Sequence, residues 1–161
     1  IPAQPTVRDS IAFQAAFAGL LEQMRQYEHP LYDLSWSDAR SNFYAAMEDG
    51  LKATLQYITA DGESTTDTER IYADLLEQAQ AGLRRRGLTG ETAARYLWPL
   101  RRRVRQGITP AEWKRNRVRE QLEDGADLTL AVSEMQEHYF ELQKRTLLDG
   151  SFTEWFTAER P

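Results

Sequence analysis

Residues 35–52 read SWSDARSNFYAAMEDGLK, and the fold class turns on this stretch. Ser35 stands where a helix needs a cap. Asp38 follows three residues later, where a carboxylate can reach back to the free amides of a first turn. Trp36, Ala39, Phe43, Ala46, Met47 and Leu51 recur at steps of three and four, the spacing of an apolar stripe on one helical face. Asn42 and Tyr44 flank that stripe. Gly50 marks either the helix end or a place of close backbone approach.

The same signals recur upstream. Thr6 can cap a helix, with Asp9 three residues on. From Ile11 to Leu21 only Ser10, Gln14 and Gly19 interrupt or border apolar residues, among them Phe13, Phe17, Leu20 and Leu21. A helix apolar on most of its circumference is of the kind buried between layers. Pro30 stops it, because the residue before a proline is pushed out of the helical region. His29 reads as a helix C-terminal residue favouring the dipole; a catalytic role would need a partner that the sequence does not display.

Downstream, the Asp61–Gly62 pair lies between Leu55, Tyr57, Ile58 and Thr65, Thr66. It reads as a small hairpin in preference to helix continuing to Ile58. Asp67 or Thr66 caps a third helix with Ile71, Tyr72, Leu75, Leu76, Ala79 and Leu83 as its buried face, ended by Gly87. Thr89 opens a fourth, with Tyr96, Leu97, Leu100 and Val104 apolar; Pro99 inside it should kink or split it. After Gly107, Thr109, Pro110 and Glu112 restart the chain as a fifth helix, whose apolar face (Trp113, Val118, Leu122) is thin. Asp127 caps a sixth with the stripe Leu128, Val132, Met135, Tyr139 and Leu142, read as core packing. A short terminal turn carries Phe152, Trp155 and Phe156, which need a surface to cover. The fold class expected is mainly α: a bundle of about six helices with at most one small β-hairpin, as a single helical domain or segment over residues 1–161.

Composition bounds the function. At 161 residues with 41% hydrophobic and 11% aromatic content, the chain can bury a core and is not disordered as a whole. It has no apolar run of membrane-spanning length and no visible signal peptide, and a start at IPAQPT reads as that of a fragment or processed chain. With no cysteine it has no disulfide, thiolate nucleophile or cysteine metal site, which fits a reducing compartment such as the cytoplasm. Two isolated histidines, His29 and His138, make no His-rich metal site. Charge is unevenly placed: residues 84–119 hold twelve Lys/Arg against Glu91 and Glu112, a balance of +10, leaving −15 elsewhere in a chain of net −5.

No phosphate loop, dinucleotide fingerprint, zinc-protease, nucleophile-elbow or EF-hand pattern is present. Adjacent acids such as Glu48/Asp49 and Glu123/Asp124 do not face each other on a helix. Glu134, Glu137 and Glu141 share a face without a converging ligand and read as solvated. The basic clusters at 84–86, 101–105 and 114–119 leave three readings open: a solvated or internally neutralised surface, a site for nucleotide phosphates or an acidic partner, or a nucleic-acid ridge with Trp98 and Trp113 interleaved. No RNA-binding or zinc-finger signature accompanies that ridge.

The order of these features carries a resemblance. A PT-x-x-D start into an apolar helix, the block WSDARSNFYAAMEDGLKA, a hairpin, helices, WKRNRVR, then GADL and a final amphipathic helix resemble the C-terminal part of the glutamate–cysteine ligase type 2 family of carboxylate–amine ligases. The likeness is closest to the branch found in haloarchaea. Where many relatives read E-N-R-W-R-A-A-R-Y-G-L, this chain has residues 41–51, SNFYAAMEDGL. Asn42, the aromatic Tyr44, Gly50 and Leu51 match, while Phe43, Ala45 and Glu48 replace three arginines. Lys114, Arg115 and Arg117 fall where relatives carry a basic cluster. A cysteine–aspartate pair that commonly precedes PT is replaced here by Pro2-Ala3-Gln4.

The resemblance implies the helical C-terminal part of an α+β, glutamine-synthetase-like enzyme, using ATP and Mg²⁺ to activate a carboxylate as an acyl phosphate for attack by an amine. It implies no catalytic or metal residue within this chain, which would be inactive in isolation. Asn42, Tyr44, Lys114, Arg115 and Arg117 are its substrate- or nucleotide-proximal candidates. The expected partners are an upstream catalytic sheet of the same protein, ATP and an amino-acid substrate, with no membrane; an oligomer is compatible with this. The alternatives are a free-standing helical interaction module and a nucleic-acid binder through residues 84–119, whose affinity would fall log-linearly with salt.

Overall fold

The computed structural model describes residues 4–26 and 28–155. In chain order these form α1 (Val7–Gln26), a 3-10 turn (Pro30–Asp33), α2 (Trp36–Asp49), a second such turn (Gly50–Lys52), β1 (Tyr57–Ile58), β2 (Ser64–Thr65), α3 (Thr68–Arg85), α4 (Gly90–Gln106), α5 (Pro110–Glu123), α6 (Leu128–Thr146) and a last 3-10 turn (Phe152–Glu154). The fold is mainly α, with six helices and one two-stranded hairpin among the described residues. The described residues pack as two compact units, 11–107 and 4–10 with 108–155.

The cap reading transfers to structure almost residue by residue. Thr6, Ser35, Asp67, Thr89, Thr109 and Asp127 each accept a hydrogen bond from a first-turn amide, and Ser35 Oγ also donates to Asp38 at 2.7 Å. Pro110 occupies the first turn of α5, where its missing N–H costs nothing.

In the unit spanning Ile11–Gly107, α1 crosses α3 and α3 packs on α4. The core is Ala16, Leu76, Ala79, Leu83, Ala93 and Leu97, with Leu20, Leu88 and Leu100 at its edge. Small residues set the first crossing: a Cβ on Gly19 would collide with the Ala79 carbonyl, and one on Gly82 with the Gly19 carbonyl. Polar links brace the same helices, Gln23 Nε2 donating to Gln78 Oε1 at 3.1 Å and Arg101 Nη2 to Gln80 Oε1 at 2.8 Å. The hairpin pairs Tyr57 with Thr65 and Ile58 with Ser64. Its loop is five residues, 59–63, wider than a two-residue Asp61–Gly62 turn, closed by Thr59 N–H on Glu63 and Gly62 N–H on Thr59.

The other unit is a helical pair, α5 on α6, closed by the terminal turn. Trp113, Met135, Leu142, Phe152 and Trp155 form its core, with Ile108, Val118 and Tyr139 against it. Trp155 meets Phe152, Tyr139 and Trp113 edge-on. Phe152 and Trp155 thus cover the α5–α6 surface; Phe156 lies outside the described residues.

Four local expectations are corrected. The stripe of residues 36–51 does not face a core: α2 has no buried residue. Trp36, Phe43 and Met47 are 82%, 63% and 68% exposed. α4 runs unbroken through Pro99; that residue is fully buried, and packing outweighs the roughly 3 kcal/mol a mid-helix proline costs. Leu128 at the start of α6 is exposed, one turn before the stripe meets α5. In α1 the small residues Ala12, Ala16 and Gly19 face inward, while the larger Ile11, Phe17 and Leu21 are exposed.

Candidate functional site

Asn42 and Tyr44 lie on α2, in the unit 11–107; Lys114, Arg115 and Arg117 lie on α5, in the other unit. Asn42 bonds both backbone groups of one residue: Nδ2 donates to Gln56 O at 2.7 Å, and Gln56 N–H donates to Oδ1 at 2.8 Å. An amide is the side chain that can give and accept side by side like this. It holds α2 to the segment entering the hairpin. Tyr44 is exposed, edge-on to Phe43 and 5.9 Å from the Arg40 guanidinium.

On α5, the Lys114 ammonium sits 4.0 Å from the centre of the Tyr139 ring, where the ring face attracts a cation. It borders a shallow hollow of about 300 Å³ with Met135, Gln136, Tyr139 and Phe140. Arg117 Nη1 lies 3.3 Å from Glu120. Arg115 is exposed.

Many cations of the basic region are engaged internally. Arg86 pairs with Glu22 at 3.2 Å, Arg101 bonds Gln80, Arg102 lies over Trp98, the buried Arg103 lies over Phe13, and Arg119 donates to Asn116. Of these, Arg86 and Arg117 meet carboxylates, and the others meet amides or ring faces.

Two buried polar clusters were not singled out from sequence. In the first, the Asp9 carboxylate, fully buried, accepts from Thr6 Oγ1 at 2.7 Å, Ser151 Oγ at 3.0 Å and Phe152 N–H at 2.8 Å. The capping-box signal was visible in residues 6–9; its second set of donors, 142 positions away, had no local signature. In the second, Asp74 accepts from Tyr57 Oη at 2.8 Å and Ala60 N–H at 3.2 Å, with His29 Nε2 at 3.6 Å. His29 is buried, and its Nδ1 accepts from Leu31 N–H, capping the turn at Pro30–Asp33. It is therefore the start of a new turn and not the end of α1. Burial, and then the bond to Asp74, push the Tyr57 phenol far above the ordinary 10.

Among the described residues no group of three or more His, Cys, Asp or Glu could hold a metal ion. The Asp9 carboxylate accepts from two protein hydroxyls and a backbone amide. No described helix is long and apolar enough to cross a membrane.

These observations define a helical, cap-rich module with a cation-bearing α5 and a solvent-facing apolar α2. A family model described as glutamate–cysteine ligase family 2 (GCS2) matches residues 1–145, most of the sequence. The chain belongs to that family. The comparison with curated proteins and that with solved structures each return no match.

Proposed function

We propose that this chain is the helical C-terminal segment of an ATP-dependent carboxylate–amine ligase, cytoplasmic and glutamine-synthetase-like. Such an enzyme forms a γ-glutamyl bond through an acyl phosphate, and its metal-holding acids belong to a catalytic sheet outside these 161 residues. Besides the family match, one observation carries the reading. α1 presents its small residues to α3 and its large ones, Ile11, Phe17 and Leu21, to solvent. A helix apolar on both sides belongs between two layers, and among the described residues Ile11, Phe17 and Leu21 are left exposed. The proposed second layer is the catalytic sheet.

Within that enzyme Lys114, Arg115 and Arg117 are the cations offered to phosphate or carboxylate oxygens, and Tyr44 stands beside the substrate. Asn42 acts as a positioning residue through the peptide of Gln56. The test uses the ligase chain that contains these residues. Phe17→Asp with Leu21→Asp should abolish ATP-dependent condensation of glutamate with an amine, while the 161-residue chain carrying both keeps its helical circular dichroism. The unsubstituted 161 residues alone should turn over no ATP. Full activity in the double variant, or Mg²⁺-dependent ATP turnover by the isolated chain, overturns the reading.

A further inference from the structure

Helices α3 and α4 leave a hollow on their shared surface, and its lining carries both signs of charge. On α3, Glu69, Ala73, Leu76 and Gln80 recur at steps of four, three and four residues, so they share one face. On α4, Arg101, Val104 and Arg105 share another. All of these except Gln80 line an open hollow of about 270 Å³.

The cationic end is anchored from behind. Arg101 is half-buried, and its Nη2 donates to Gln80 Oε1 at 2.8 Å and to the Leu76 carbonyl at 3.5 Å. One nitrogen thus holds the guanidinium, and the N–H groups of Nε and Nη1 are left for another acceptor. Arg105, one turn on, is exposed, and its guanidinium has no ion pair or hydrogen bond among the described residues; nor has the Glu69 carboxylate. Two guanidiniums and a carboxylate therefore border one hollow without neutralising each other, unlike Arg86 with Glu22 or Arg117 with Glu120. The floor between them is apolar: Leu76 is buried and Val104 half-buried.

Each part of the lining selects part of a ligand. A carboxylate suits Arg101 and Arg105, because guanidinium N–H groups meet its oxygens in pairs. An ammonium suits Glu69. A branched aliphatic body suits Leu76 and Val104, whose surface it removes from water. Size agrees: about 270 Å³ lies below the roughly 300–1,000 Å³ of sites for drug-sized ligands. That matches a single amino acid better than a nucleotide, whose phosphates would also meet the Glu69 carboxylate.

We infer that the α3–α4 hollow binds a free α-amino acid with an aliphatic side chain. Its carboxylate lies on Arg101 and Arg105, its ammonium on Glu69, and its side chain on Leu76 and Val104. This inference rests on the hollow alone and not on the ligase reading.

The probe is L-leucine, titrated into the full 161-residue chain and followed by amide chemical shifts. Saturable shifts should appear at Glu69, Ala73, Val104 and Arg105, with a dissociation constant on the order of 1 mM, as befits an open site. Isocaproate lacks the ammonium and isoamylamine lacks the carboxylate; each should bind at least about tenfold more weakly, or 1.4 kcal/mol. Glu69→Gln and Arg105→Gln change exposed side chains, so the circular dichroism should be unchanged while each weakens L-leucine at least about tenfold. Glu69→Gln should also abolish the preference for L-leucine over isocaproate, which a merely structural role would leave intact. Shifts still linear at about 50 mM, equal binding of the three compounds, or an affinity indifferent to both substitutions overturns the inference.

Discussion

Replacing Gly82 by alanine should destabilise the protein, although alanine is the better helix former by about 1 kcal/mol. A Cβ there would overlap the Gly19 carbonyl oxygen and stand 2.7 Å from its carbon and 3.0 Å from the Gln23 amide nitrogen. These are backbone atoms of α1 and cannot rotate aside, so the helices must part by about 1 Å. A gap of that size forfeits a quarter to a half of the attraction at each contact on the seam, where Ala16, Ala79 and Leu83 lie. Overpacking costs about 1–3 kcal/mol. With the lost contacts added and the propensity gain subtracted, the net loss should be about 2–4 kcal/mol, or roughly 4–16 °C in Tm. Urea denaturation followed by far-UV circular dichroism measures it, with Gly90→Ala as the counterpart. Gly90 is helical with nothing near its absent Cβ, so that change should be neutral or stabilise by up to about 1 kcal/mol. A Gly82→Ala protein as stable as the parent would mean that α1 and α3 do not cross at these glycines.

Asp9→Ala should cost at least about 3 kcal/mol by urea denaturation, since it leaves the buried donors of Thr6, Ser151 and Phe152 without their acceptor; a loss below about 1 kcal/mol would refute the cluster. Asn42→Ala removes both bonds to Gln56 and should cost about 1–2 kcal/mol, with faster amide exchange at Gln56; unchanged exchange would show the pair to be unimportant. In the ligase that contains it, the same change should lower turnover at least about tenfold; intact turnover would make Asn42 structural only. Because the Tyr57 phenol is raised in the folded state, its contribution is complete below the unfolded value near 10 and is lost as pH rises beyond it. Stability should decline in that alkaline range, and Tyr57→Phe should flatten the decline; an identical slope in both proteins would count against the Tyr57–Asp74 contact.

Much of the fold was readable because its signals are local. A capping hydroxyl or carboxylate acts within three residues, so Ser35, Thr89, Thr109 and Asp127 could be placed from sequence alone, as could the hairpin and the core stripe of α6 around Met135 and Leu142. What escaped reading depends on partners far along the chain. Periodicity identified the apolar side of α2 but not that Trp36, Phe43 and Met47 face solvent. Gly19 looked like an interruption of an apolar helix, because its use is a contact with residues 79–82. His29 seemed to lack a partner since Asp74 is forty-five positions away. Of the candidate site only residue types were legible; the seat of Lys114 over the Tyr139 ring depends on a partner twenty-five positions away. That Arg101, Arg102 and Arg103 are taken up by neighbours was not visible, because cation–π and carbonyl contacts leave no mark on charge count.

The clasp between Asp9 and residues 151–152 also sets an order of events during synthesis. All of residues 11–107 can emerge and collapse before the donors at 151 and 152 exist. A ribosome adding about 5–20 residues per second leaves Asp9 waiting roughly 7–30 s for them. The α5–α6 pair is complete only at Thr146, so its aromatic surface lacks the Phe152–Trp155 cover for the roughly 0.3–1 s that the next five residues take. A nascent chain stalled before residue 151 should therefore hold a protease-resistant 11–107 region beside a sensitive remainder, and emergence of residues 151–155 should bring protection to residues 4–10 and 108–155 in a single step.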